Sequence, residues 1–71
     1  MTPAEWILEA VAKVTHCKVR DLRGRERHRW IVMRRRFACQ KLWEAGYGFS
    51  DIGRILGGRN HTTIMYYLGR A

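Results

Sequence analysis

Between Phe49 and Leu68, two short runs with helically spaced apolar residues meet at a pair of glycines, and no other stretch limits the possible folds so much. In the first run, Phe49-Ser50-Asp51-Ile52-Gly53-Arg54-Ile55-Leu56, the residues Ile52, Ile55 and Leu56 share one face. Ser50 is a natural N-cap there, and Asp51 suits the positive start of a helix. Gly53 allows a second helix to come close. Gly57-Gly58-Arg59 is a turn, and Asn60 is able to cap the run from His61 to Leu68, whose inward side is Ile64, Tyr67 and Leu68. Two short helices joined by a glycine turn follow the helix-turn-helix plan. In that plan the first residues of the second helix meet base edges. Here they are Asn60, His61, Thr62 and Thr63, all hydrogen-bonding side chains. Threonine is a poor interior helix former, so base readout accounts for the pair better than capping alone, and Asn60 is suited to both tasks.

The rest of the chain also reads as helix. Thr2-Pro3-Ala4-Glu5 holds a cap, a proline at the first helical position and the acid of a capping box. Ile7, Leu8, Val11 and Val14 then form one apolar face, and the chain breaks between Thr15 and Lys18. Val19 and Leu22 fit one helical turn ended by Gly24. A long helix is expected from about His28 to Ala45, with Ile31, Ala38, Leu42 and Ala45 inward and Met33 and Phe37 beside them; Gly46 and Gly48 end it. No period-two strand and no internal repeat is visible. The expected fold is all-α, a bundle of four to five helices containing a helix-turn-helix, in one domain spanning residues 1–71.

The charge is lopsided. Fourteen cations face six acids, a net +8, and arginine outnumbers lysine eleven to three. Nine of the cations lie between Lys18 and Arg36 against only Asp21 and Glu26, so that stretch carries +7 of the total. Guanidinium forks suit phosphate and guanine edges better than an ammonium does. Such crowding repels itself in the free protein and points to a polyanion, with nucleic acid ahead of a membrane surface. A membrane-bound helix would need an unbroken apolar stripe, and Trp30, Ile31, Val32, Met33 and Phe37 are better spent on the core. No segment approaches the ~20 apolar residues that span a bilayer. The first five residues lack a secretory layout, so a cytoplasmic, nucleoid-associated location is expected. Met1 and the capped first helix are expected to mark a complete chain or an N-terminal domain.

Catalysis finds little footing. The acids are dispersed, and Gly57-Gly58 lacks the Lys-Ser/Thr of a nucleotide-binding loop. His16, His28 and His61 are scattered, and Cys17 and Cys39 have no zinc-ligand spacing, so two free thiols are expected, with no metal and no cofactor. No small-molecule substrate is expected.

Gly57-Gly58-Arg59-Asn60-His61-Thr62-Thr63-Ile64, preceded by Ile52-Gly53, resembles the signature of the C-terminal DNA-binding domain of the bacterial replication initiator DnaA, in which GGRDHTT is followed by an aliphatic residue. Val11-Ala12, Lys18-Val19-Arg20-Asp21-Leu22 and the basic stretch after them fit the same family, so the resemblance covers nearly the whole chain. It implies a helical bundle of the Trp-repressor group that binds short asymmetric duplex sites as a monomer. By the same resemblance, His61 and Thr62 would read bases in the major groove, and Thr63 and Arg59 would hold phosphates. Arg35, in the run Arg34-Arg35-Arg36, would be the minor-groove arginine, with its neighbours Arg34 and Arg36 as alternatives. Phe49 and Ser50 would offer backbone amides to phosphate, and Lys18, Arg25 and Arg27 would add backbone contacts. The resemblance does not extend to an ATPase domain, which favours regulation over initiation.

At one position the chain departs from the pattern: Asn60 replaces the family's Asp. A carboxylate only accepts, which suits the cytosine amino group, whereas an amide both accepts and donates and pairs with adenine. The expectation is a changed or relaxed preference at one base pair. The function expected is sequence-specific binding of double-stranded DNA by a transcription regulator or a competitor at initiator-box-like sites, with a protein partner of the transcription or replication machinery left open. The alternatives are a basic adaptor for RNA or an acidic protein, and the DNA-binding part of a replication initiator.

Overall fold

The computed structural model describes residues 1–70. Five helices follow one another: α1 (Pro3–Thr15), α2 (Val19–Arg23), α3 (Arg29–Glu44), α4 (Phe49–Ile55) and α5 (His61–Tyr67). The all-α expectation holds, and the α4–turn–α5 unit packs against α3, with α1 and α2 also laid on α3.

Local chemistry sets the boundaries. Thr2 Oγ1 accepts from the Glu5 amide at 3.2 Å while Glu5 Oε1 accepts from the Thr2 amide at 2.8 Å, a complete capping box before Pro3. That hydrogen bond to the Thr2 backbone also holds the Glu5 carboxyl below its ordinary pKa. His16 closes α1 in the left-handed region with φ 58°. The Lys18 amide donates to Asp21 Oδ2 at 3.0 Å and starts α2. The α3 helix starts and stops one residue inside the expected limits, with His28 and Ala45 as its caps. Ser50 is not the cap of α4: Gly48 holds that place, without a side-chain hydrogen bond, because the helix begins one residue before Ser50.

The core joins Leu8, Val11 and Ala12 of α1, Leu22 of α2, Ala38, Cys39 and Leu42 of α3, and Ile52, Leu56 and Ile64 of the helix-turn-helix. Burying each large aliphatic contributes about 1.5–3 kcal/mol relative to leaving it in water. Several expected core residues lie elsewhere. Val14 is 68% and Met33 63% exposed, Ala45 is exposed, Phe37 and Trp30 sit at the surface, and Val32 is half-buried. The reason is phase. The buried stripe of α3 runs 31, 35, 38, 42, with Cys39 beside it, and this turns positions 33, 37 and 45 away. The thiols of Cys17 and Cys39 are both free, and burial pushes Cys39 up to about 12.

Candidate nucleic-acid interface

Two glycines determine how closely the helix-turn-helix closes. A Cβ on Gly53 would fall 2.2 Å from the Arg59 carbonyl oxygen, so only glycine lets the turn lie against α4. The Gly53 carbonyl then accepts from the amides of Gly58 and Arg59 at 2.9 and 2.8 Å. Gly57, at φ +82°, presses on the end of α2, where a Cβ would meet the Arg23 carbonyl oxygen at 2.2 Å. The helix-turn-helix and the entrance to the basic loop are therefore in direct main-chain contact.

Across that contact lies a cleft of about 420 Å³ lined by Arg25 and Arg27 of the loop, Arg35, Arg59, and Asn60 and Thr63 of the second helix. Val32, Gly58, Tyr66 and Tyr67 complete its walls, a role that no sequence motif marks. At its edge His61 and Thr62 are exposed at the start of α5, while Thr63 is half-buried. Asn60 and Thr63, which flank the candidate base readers in the chain, thus share a cleft with the loop arginines. Lys18 is exposed at the start of α2, outside the cleft. Ser50 is exposed and Phe49 half-buried at the start of α4, also outside it. The Phe49 ring stacks on Trp43 with centroids 4.8 Å apart and planes 7° from parallel, so its side chain serves packing.

Asn60 does cap α5. Its Oδ1 accepts from the Thr62 amide at 3.0 Å and from Thr62 Oγ1 at 3.0 Å. The Thr62 hydroxyl hydrogen is thereby engaged, while the residue itself stays exposed.

Three arginines expected at the nucleic acid donate hydrogen bonds to main-chain carbonyls. Arg35 is the main correction: it is 1% exposed, and its guanidinium donates to the carbonyls of Leu22 at 3.1 Å, Asp21 at 2.9 Å and Glu26. Asp21 and Leu22 belong to the last turn of α2, whose carbonyls have no helical partner. A guanidinium satisfies these acceptors and matches their negative helix end, and so cannot also enter a minor groove. Burial, and then the neighbouring Arg59, lower its pKa below the ordinary arginine value. Its signal was present in the chain: position 35 falls inside the apolar stripe set by Ile31, Ala38 and Leu42.

Arg34, one alternative for that role, donates to the carbonyls of Thr15 at 2.8 Å and Trp30 at 2.9 Å and lies over the Trp30 ring, 5.0 Å from its centroid; Arg36, the other, is exposed. It ties α3 to the end of α1. Arg59 donates to the carbonyls of Leu56 and Gly24, which joins the turn to the loop. It is half-buried in the cleft wall, where these two hydrogen bonds make it a clamp between turn and loop.

Among the described residues no group of three or more His, Cys, Asp or Glu side chains is arranged to hold a metal ion. Among them, too, no helix is long and apolar enough to cross a membrane.

Comparison with known proteins agrees with the geometry. The family described as bacterial dnaA protein helix-turn-helix matches residues 4–70. The chromosomal replication initiator protein DnaA of Chloroflexus aggregans is 44% identical over 64 residues, which is 89% of this chain and 13% of that protein. The DnaA of Roseiflexus castenholzii is 45% identical over 67 residues, 93% of this chain and 14% of that protein. The DnaA of Lacticaseibacillus casei is 38% identical over 61 residues, 84% of this chain and 14% of that protein. The chain thus spans about one-seventh of the length of these relatives. No solved structure gave a significant match. With a family match running from the first turn of α1 to beyond α5, the chain belongs to the bacterial DnaA helix-turn-helix family.

Proposed function

We propose that this domain binds double-stranded DNA sequence-specifically, with α5 in the major groove and the loop arginines on phosphates, as a binding module and not a catalyst. The observation that carries the reading is the shared cleft: Asn60 and Thr63 line it together with Arg25 and Arg27, and His61 and Thr62 stand free at its edge. Family membership supports DNA binding independently. The loop arginines neutralise phosphates and release counterions, which supplies most of the affinity. His61 and Thr62 then read base edges in the groove. Exposed Lys18 and Ser50 and the first amides of α4 extend the backbone contacts. The location that follows is the bacterial cytoplasm, at the nucleoid.

In this reading the domain regulates transcription, or competes for sites resembling initiator boxes, with a partner in the transcription or replication machinery. A second role is the DNA-binding part of a replication initiator. It is favoured by the relatives, which carry the name of an initiator and of which this chain covers 13–14%.

Competition tests the reading. Duplex carrying a selected site should displace labelled duplex better, per unit charge, than RNA or heparin. With about six phosphates contacted, log affinity should fall against log salt with a slope near −5. Equal competition by all three polyanions would favour a basic adaptor instead.

A further inference from the structure

The amide of Asn60 is held one way round. A helix cap needs an acceptor, so the carbonyl oxygen, not the amino group, must face the Thr62 amide. At 3.0 Å from both the Thr62 amide and the Thr62 hydroxyl, Oδ1 has both lone pairs engaged. Among the described residues Nδ2 donates to nothing, and Asn60 is exposed on the wall of the basic cleft, next to His61. The residue therefore presents two N–H donors and no acceptor to whatever lies against α5.

Resting on the DNA-binding reading above, we propose that Asn60 is a specificity-determining residue that selects guanine at one base pair through Nδ2. The major-groove edge of guanine offers two acceptors, N7 and O6, which match two donors. Cytosine presents its N4 amino group, donor against donor. Adenine sets its N6 amino group beside N7, and pairing with both would require the Oδ1 that the cap has taken. Thymine offers O4 alone, flanked by its methyl group. Capping thus removes the adenine pairing that asparagine has when both ends of its amide are free.

The variant Asn60→Asp separates readout from folding. Aspartate caps as well as asparagine. One carboxylate oxygen can take over the two Thr62 hydrogen bonds, which turns the other outward as an acceptor. Donors are exchanged for an acceptor with almost no change of shape. The added charge lowers affinity for all duplexes alike, so base preference is what is compared. Selection from a random duplex pool, run on both proteins, should return motifs that agree except at one position. There the wild type should enrich guanine and N60D cytosine, each by about tenfold over the other base. The same base at every position in both motifs overturns the Asn60 assignment and leaves the DNA-binding reading intact. Adenine or cytosine selected by the wild type at the position that changes also overturns it. If the wild type selects no motif at all, the DNA-binding reading fails and this inference fails with it.

Discussion

In the basic loop, Arg25 and Arg27 are exposed and line the cleft beside Asn60 and Thr63, whereas in the first half of α3 Arg34 and Arg35 turn back onto main-chain carbonyls. Both regions belong to the same cationic stretch, and residue type alone does not tell them apart. Helix phase and neighbouring acceptors do. Residue 35 points where Ile31 and Ala38 point, toward the open carbonyls at the end of α2, and five N–H groups can satisfy what an aliphatic side chain would leave unpaired. Arginine inside the fold thus acts as a donor cluster, while arginine in the loop keeps its charge available to a partner.

The contrast is broken most directly at Arg35. Replacing it by alanine leaves three carbonyls without a donor and a cavity behind α2, and should cost about 3 kcal/mol. The urea midpoint should fall with little change in the denaturant slope. An unchanged midpoint combined with weaker DNA binding would return Arg35 to the interface. Next in size is His61→Ala, which should cost about 1–3 kcal/mol on the selected site and little on random duplex. Equal losses on both duplexes would make His61 a phosphate ligand and blur the line between reader and loop. Smaller for each residue, the pair Arg25→Ala and Arg27→Ala should weaken binding to all duplexes alike and reduce the salt slope by about 1 per arginine. Their urea midpoint should stay at the wild-type value; if it drops as it does for Arg35→Ala, the loop is structural too. The smallest effect concerns the core on which both regions rest. At pH 8, half-buried Cys17 should alkylate in the native protein while Cys39, buried and raised to about 12, should react only after unfolding. Mass spectrometry counts the adducts.

Much of the architecture could be read from the chain because it rests on local chemistry. The Thr2–Glu5 box, the Gly24 stop, both ends of α3 and the Asn60 cap each depend on residues a few positions apart, and all stand within a residue of expectation. Some misreadings are of phase, as at Val14, Met33 and Phe37, and others involve contacts between separate elements. Arg59 meets Gly24, and Arg35 meets Asp21 and Glu26. No short-range rule supplies those pairings. Two large aromatics also stand outside the core: Trp6, at 64% exposed, and Trp30 lie at the surface, and small residues such as Ala38 and Ala12 fill the helix contacts. At the interface, the motif placed His61 and Thr62 on an exposed helix start, but it could not show that Thr62 closes off one end of the Asn60 amide.

Arg35 and Arg59 hold the loop by the oxygens of Asp21, Leu22, Gly24 and Glu26, atoms that every amino acid carries. Its moorings are therefore indifferent to spelling. Side chains at 25 and 27 are free to be rewritten, changing the charge the loop offers a partner, while the strap itself stays tied down.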